Sequence, residues 1–347
     1  MLTEPADYVL GVDTHADAHA FALVDARSGA LLREYALPAC RSGYRQALKL
    51  ARRQGPGRRV WAIEGTGSYG AGLTRFLEAQ GERVFEIERP QRRGRQGRLK
   101  SDALDALRAA RVALAGERLS QPRAAGEREA LRILLVTREQ AVSVRRAGLN
   151  ELRSLLVTAP DELRERLRAL PRGRLVSACL KLRWRTQSDP ALAASRLALK
   201  ACAERVSQAT RQAAELEGEI ERHVRSLCPQ LLALRGVGPI SAGIVLTAWS
   251  HKGRLRCEAA FARLAGAAPI PASSGKVCRH RLDRGGDRRL NRALHTIVLC
   301  RRRNDADTIA YIARRVSEGK SEREAVRCLK RYLARSLFRL LERHATT

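Results

Sequence analysis

The chain has 347 residues, 44% hydrophobic and 4% aromatic, with a formal net charge of +30. Such a composition is globular and long enough for two or three domains around buried cores, while the few aromatics leave few platforms for stacking single-stranded bases. No apolar stretch approaches the roughly 18 residues of a membrane span, and Glu4 and Asp7 stand where a signal peptide would carry positive charge.

The charge is unevenly spread. Residues 1–88 hold 11 basic and 11 acidic side chains, which leaves 55 and 25 for residues 89–347. A neutral front and a basic remainder suggest one part that does chemistry and another that grips a polyanion, nucleic acid being the natural partner. The eight cysteines lie twenty or more positions apart with no CxxC pair, so neither a zinc site nor a disulfide framework is indicated. Reduced thiols in a cytoplasmic protein are the simplest reading.

In chain order, residues 8–13 form a continuous apolar strand ending at Asp13, and residues 18–25 follow as the second arm of a hairpin. Residues 30–37 read as a third strand. Ser42 is expected to cap a helix over 43–54, which Gly55-Pro56-Gly57 stops. A buried strand over 59–64 ends at Glu64. Helix 69–80, strand 82–88 and a helix over 100–115 begun by Ser101 complete the order βββαβαβα, that of a ribonuclease-H-like fold. Asp102 and Asp105 lie one turn apart on one face of the last helix.

Asp13 and Glu64 therefore close two strands that can be neighbours, and open α/β sheets bind ligands just outside such strand ends. Gly65 and Gly67 would let the backbone approach a phosphate. Carboxylates grouped this way repel one another unless a hard cation such as Mg²⁺ neutralises them. Read singly, each acid is an ordinary strand-end or solvated helix residue. The loop between the last strand and this helix carries Arg92, Arg93, Arg95, Arg98 and Lys100, which suits a grip on a nucleic-acid backbone.

Beyond Gly116 and Pro122, a long helix over 126–158 and another over 190–227 are separated by breaks at Pro160 and Pro171. Small or apolar side chains at Leu192, Leu199, Cys202, Val206, Ala213, Leu216, Ile220 and Leu227 argue for an antiparallel helical hairpin or a coiled coil, within one chain or between two. The segment 231–242 resembles a helix-hairpin-helix element, with Gly236-Val237-Gly238 offering backbone amides to a DNA phosphate. Ser273-Ser274-Gly275 follows, amid Lys276, Arg279, Arg281, Arg284, Arg288 and Arg289. A serine ringed by cations could attack a phosphodiester; by composition alone the segment is a loop.

These residues together resemble the transposases of the insertion-sequence 110 family. The resemblance rests on Leu10-Gly11-Val12-Asp13, on Glu64 with its Gly-Thr-Gly-Ser-Tyr sequel and on Lys100-Ser-Asp102-Ala-Leu-Asp105. The Gly-Val-Gly turn, Pro271-Ala-Ser-Ser-Gly-Lys276 and Arg284-Gly-Gly-Asp complete it. It implies a RuvC-like DEDD domain in which Asp13, Glu64, Asp102 and Asp105 hold one or two Mg²⁺ ions. It also implies a nucleophilic serine, Ser274 rather than Ser273, that forms a phosphoserine link to DNA. Donor and target duplexes, a noncoding bridge RNA and a dimer or tetramer of the chain are the implied partners, in the bacterial cytoplasm near the nucleoid. Many relatives carry two glycines after the serines, where this chain has Gly275 and then Lys276.

The expected layout is a ribonuclease-H-like catalytic domain over 1–120, a helical or coiled-coil arm over 121–228 and a mainly helical transposase domain over 229–347. A metal-dependent junction nuclease using water, a non-catalytic nucleic-acid scaffold and a sugar-kinase-like phosphotransferase are the rival readings. The basic back half argues against the last.

Overall fold

The computed structural model describes residues 6–87, 101–116, 119–184, 189–271, 280–281, 283 and 285–345. The chain divides into two units, residues 1–125 with 253–256 and residues 126–252 with 257–347.

The first unit is built on a mixed sheet of β1 (Tyr8–Thr14), β2 (Ala18–Asp25), β3 (Leu31–Pro38), β4 (Arg59–Glu64) and β5 (Arg83–Ile87). Their spatial order is β3-β2-β1-β4-β5, with β1, β2 and β3 antiparallel and β1, β4 and β5 parallel. Short turns suffice for the hairpins. The parallel pairs need crossovers, which α1 (Arg41–Gln54) and α2 (Ala71–Ala79) provide. This hairpin-fed sheet is consistent with a ribonuclease-H-like domain.

Strand alternation decides which helix each face meets. Leu10, Val12, Phe21, Leu23, Trp61 and Ile63 pack with Tyr44, Leu48, Leu73 and Leu77 of α1 and α2. The opposite face offers Val9, Ala20, Ala22, Val24 and Ala62 to the alanine-rich α3 (Asp102–Ala115). The helix starts differ in detail from the sequence reading. α1 begins at Arg41 after Cys40, which makes no side-chain cap, and Ser42 lies inside the first turn with its Oγ 3.1 Å from Cys40 Sγ. Ser101 does occupy the N-cap position of α3, but its side chain makes no capping hydrogen bond.

Gly11 sets the distance between α3 and the sheet. A Cβ there would lie 1.9 Å from the carbonyl oxygen of Ala106 and 2.5 Å from the amide nitrogen of Ala110. With a hydrogen in that place, the helix backbone rests directly on β1.

The second unit is helical. α4 (Glu127–Val157) and α7 (Pro190–Leu227) run antiparallel. The ladder of contacts includes Arg138 to Glu217 at 2.7 Å and Arg205 to Glu151 at 2.6 Å, with the Cys202 thiol donating to the Gly148 carbonyl at 3.1 Å. The hairpin contacts therefore form within one chain. Of the eight α7 positions singled out by periodicity, only Leu216 is half-buried; the rest are buried. Leucines of α5 (Asp161–Leu167) and α6 (Arg172–Leu180) cover the hairpin beside the 157–190 connection.

Near the other end, α9 (Pro239–Trp249) packs between the long helices and the rest of the unit. The remaining elements are α8 (Gln230–Ala233), α10 (Glu258–Leu264), the two-residue strands β6 (Ile270–Pro271) and β7 (His280–Arg281), α11 (Arg288–Asn304), α12 (Ala306–Ser317) and α13 (Glu322–His344). Among the described residues, no helix is long and apolar enough to cross a membrane.

Candidate metal centre

Asp13 lies on the face of β1 that carries Val9 and Gly11, turned toward α3. β1 and β4 are paired in parallel with Val12 opposite Ile63, so Asp13 and Glu64 follow one step later at the same sheet edge. The Thr14 hydroxyl donates to the Glu64 carbonyl at 2.8 Å and ties the two strand ends together. Because Gly11 lets α3 sit close, the helix N-terminus and its Asp102 arrive at this edge. The positive end of the helix dipole favours negative charge there.

The structure adds a residue that the sequence reading missed. His15 places its Nε2 3.1 Å from Asp13 Oδ2 and 3.5 Å from Asp102 Oδ1. One potential ligand atom from each of Asp13, His15 and Asp102 falls within 4.8 Å of the others. The available signal was the spacing Asp13-Thr14-His15, since residues two apart on an extended segment share a face. His15 is held in turn by His19, whose Nδ1 accepts the His15 backbone N–H at 3.3 Å. His19 is fully buried and stacks on Tyr44 with ring centroids 5.8 Å apart. Burial holds its pKa below the ordinary histidine value, so it stays neutral and can accept that bond.

Asp13 is 6% exposed. Burial pushes its carboxyl above the usual carboxylate range; His15 pulls it back, and the charges of Glu64 and Asp105 push it up again. All four predicted acids therefore share one electrostatic neighbourhood, but only Asp13 and Asp102 join the compact cluster. Asp105 is turned to Arg108, accepting from its NH1 at 2.6 Å. Two carboxylates, an imidazole and a like-charged surround fit a divalent cation, which would relieve the repulsion. A cleft of about 610 Å³ opens beside the cluster, lined by His15, Tyr35 and Asp102 among others.

A DEDD-type IS110 model, described as a transposase, matches residues 10–159, and a second, described as the transposase IS116/IS110/IS902 family, matches residues 228–313. The chain belongs to the IS110 family of transposases. It is thus an enzyme acting on DNA. No protein with a curated description matches it by sequence.

The remaining sequence-predicted contacts of this IS110 transposase fall in several places. Arg92, Arg93, Arg95, Arg98, Lys100, Ser273, Ser274, Lys276, Arg279 and Arg284 lie outside the described residues. Arg281 is exposed on β7 and Arg288 on the first turn of α11. Arg289 pairs with Glu139 of α4 at 2.7 Å, so it also braces the unit.

The Gly-Val-Gly turn has an internal task. Gly236, at φ 77°, sits 3.1 Å from Arg301 Cγ and from the Ile297 carbonyl when given a Cβ, whereas Gly238 faces open space. The four-residue α8 supplies only a short first helix to this element. The Gly-Gly-Asp motif is likewise explained by packing. Gly286, at φ 83°, would put a Cβ 2.5 Å from the Leu264 carbonyl, and Asp287 caps α11 by accepting from the N–H groups of Arg289 and Leu290.

Proposed function

We propose that this transposase cuts and rejoins DNA strands with divalent metal, Mg²⁺ by preference, held by Asp13, Asp102 and His15, with Glu64 and Asp105 completing the negative field. The observation that carries this reading is the buried Asp13, ligand atom to ligand atom with His15 and Asp102 and crowded by like charge. A bound cation would act as Lewis acid and clamp on the scissile phosphate. The protein's own part is to fix the donors: Gly11 seats α3, His19 holds the backbone of His15, and Thr14 joins the two strand ends.

The nucleophile in this reading is Ser274, with Ser273 as the neighbouring candidate. Its Oγ gives up its proton and bonds to phosphorus as the bond to one deoxyribose oxygen breaks, and the departing oxygen takes up a proton in exchange. Attack by a second strand's hydroxyl on the phosphoserine reverses the balance and restores the serine, so the exchange needs no nucleoside triphosphate. The basic segments over 229–347 would hold donor and target DNA, a bridge RNA would select them, and the helical arm over 121–228 would join copies of the chain.

The test is a reaction of full-length protein with labelled element-end DNA, its adjacent noncoding RNA and Mg²⁺, resolved under denaturing conditions. Covalent protein–DNA adducts are expected with wild type and not with Ser274→Ala. Asp13→Asn should lower their rate roughly a thousandfold, the equivalent of about 4 kcal/mol of transition-state stabilisation. Adducts that persist when both serines are replaced would overturn the nucleophile, and metal-independent cleavage would overturn the centre.

A further inference from the structure

The second unit holds a basic cavity that the family resemblance leaves unassigned. It has a volume of about 890 Å³ and is walled by the 266–269 turn, β7 and one face of α13, most of which lies beyond the matched residues 228–313. Arg281, Lys320, Arg327, Lys330 and Arg331 line it. Its carboxylates do not balance them: Glu324 is engaged in the capping box of α13 with Ser321, and Asp283 accepts from the N–H of Gly285 at 2.8 Å.

Lys330 is the telling residue. It is 7% exposed, and among the described residues its ammonium has one hydrogen-bond partner, the Asn291 side-chain oxygen at 2.6 Å. An ammonium has three donors, and burying one beside another cation without a carboxylate is costly. Burial and the charge of Arg327 both depress its pKa, and His295 is the further titratable group facing it. An ammonium so placed suits an anion. Asn291 also donates to the Ala265 carbonyl at 2.6 Å, so the same chain of bonds anchors the turn that leads into β6.

Tyr332 forms part of the wall, 54% exposed, with its ring braced edge-on by Tyr311 at 6.1 Å between centroids. A braced, exposed ring next to convergent cations is how proteins hold a nucleotide of a single strand: the cations take the phosphate and the ring stacks the base. β6 and β7 pair Ile270 with Arg281 and Pro271 with His280, and Ser273 and Ser274 follow Pro271 by two and three residues in the chain.

We propose that this cavity binds one phosphodiester and its base from a single DNA strand, with Arg327, Lys330 and Arg331 on the phosphate and Tyr332 on the base. That the strand is DNA rests on the family, and the proposed nucleophile has no part in it.

The test uses full-length protein, fluorescein-labelled dT12 and rU12, and chelator to prevent cleavage, with anisotropy read across a salt series. Arg327→Gln with Arg331→Gln should weaken dT12 binding about tenfold or more and lower the log–log salt slope by about 0.7, the contribution of one neutralised phosphate of a single strand. Tyr332→Ala should cost roughly tenfold in affinity and leave the slope unchanged. Both variants alter side chains at the cavity surface and should melt like wild type. Unchanged dT12 affinity and slope in the folded double variant would overturn the site, and a loss confined to rU12 would overturn its assignment to DNA. Because nothing is cleaved, the assay is blind to the identity of the nucleophile, which adduct formation tests separately.

Discussion

A buried carboxylate lies beside each end of β4, Glu82 just before β5 and Asp13 on β1, and the molecule treats them in opposite ways. At the Arg59 end, the Glu82 side chain is 5% exposed and is met by Arg59 at 3.1 Å, Arg52 at 3.3 Å and the Trp61 indole N–H at 3.0 Å. Burial alone would push its carboxyl up, but these donors outweigh burial and hold it below the usual range. At the Glu64 end, Asp13 is as deeply buried, and among the described residues its one close donor is the His15 imidazole; burial, helped by the charges of Glu64 and Asp105, pushes it up. A structural carboxylate brings its counter-charges with it in the same unit. Asp13 has no such set of counter-charges among the described residues, which is the opening the proposed divalent cation would use.

That comparison can be broken most directly at Glu82. Glu82→Gln removes the charge that Arg59 and Arg52 surround and should destabilise the first unit by about 3 kcal/mol, a figure held down because Arg52 is half-exposed. Chemical denaturation measures it, and a change below about 0.5 kcal/mol would show that the two carboxylates are not different in kind. The folded fraction of this variant should retain metal binding.

His15 sharpens the other side. His15→Ala deletes one of the three clustered ligand atoms and should weaken Mn²⁺ or Mg²⁺ binding about tenfold or more, with the fold intact. Calorimetric titration reads the affinity directly. An unchanged value would remove His15 from the centre and leave only its contact with Asp13.

The smallest effect concerns pH in metal-free protein. Asp13 has a raised folded pKa, so its ionised form destabilises the fold, and this cost appears as pH rises past the ordinary carboxylate value of about 3.9. Glu82 has a lowered one, so its contribution is present above about 4.3 and is lost as pH falls through its folded value. In chelator at pH 7, Asp13→Asn should therefore be more stable than wild type by on the order of 1 kcal/mol. The difference should vanish near pH 3 and be erased by divalent cation, which stabilises wild type alone. Thermal melts across pH would reveal the opposite sign if Asp13 were simply a paired structural acid.

Much of the first unit was legible because its signals are local. The apolar run ending at Asp13, the buried run ending at Glu64 and the turn signals between them mark strands whose alternation assigns every side chain to a face. The long period of α7 likewise marked its buried stripe, with Leu216 the weakest member. Helix starts were less legible. Ser42 has the chemistry of a cap but is the second residue of α1, because the chain has already turned at Cys40.

From its own residues the chain determines the strand and helix order, the two acids that close β1 and β4, the acidic first turn of α3 and its membership among IS110 transposases. Only the folded arrangement decided which acids meet. Asp102 reaches Asp13 because Gly11 admits α3 at backbone contact, Asp105 turns to Arg108, and His15 enters through its bond to His19. The same holds for Lys330, which shares a cavity wall with Arg281 some fifty residues away. Periodicity follows from bonds along the chain, whereas these meetings follow from register and close packing between segments that the chain itself keeps far apart.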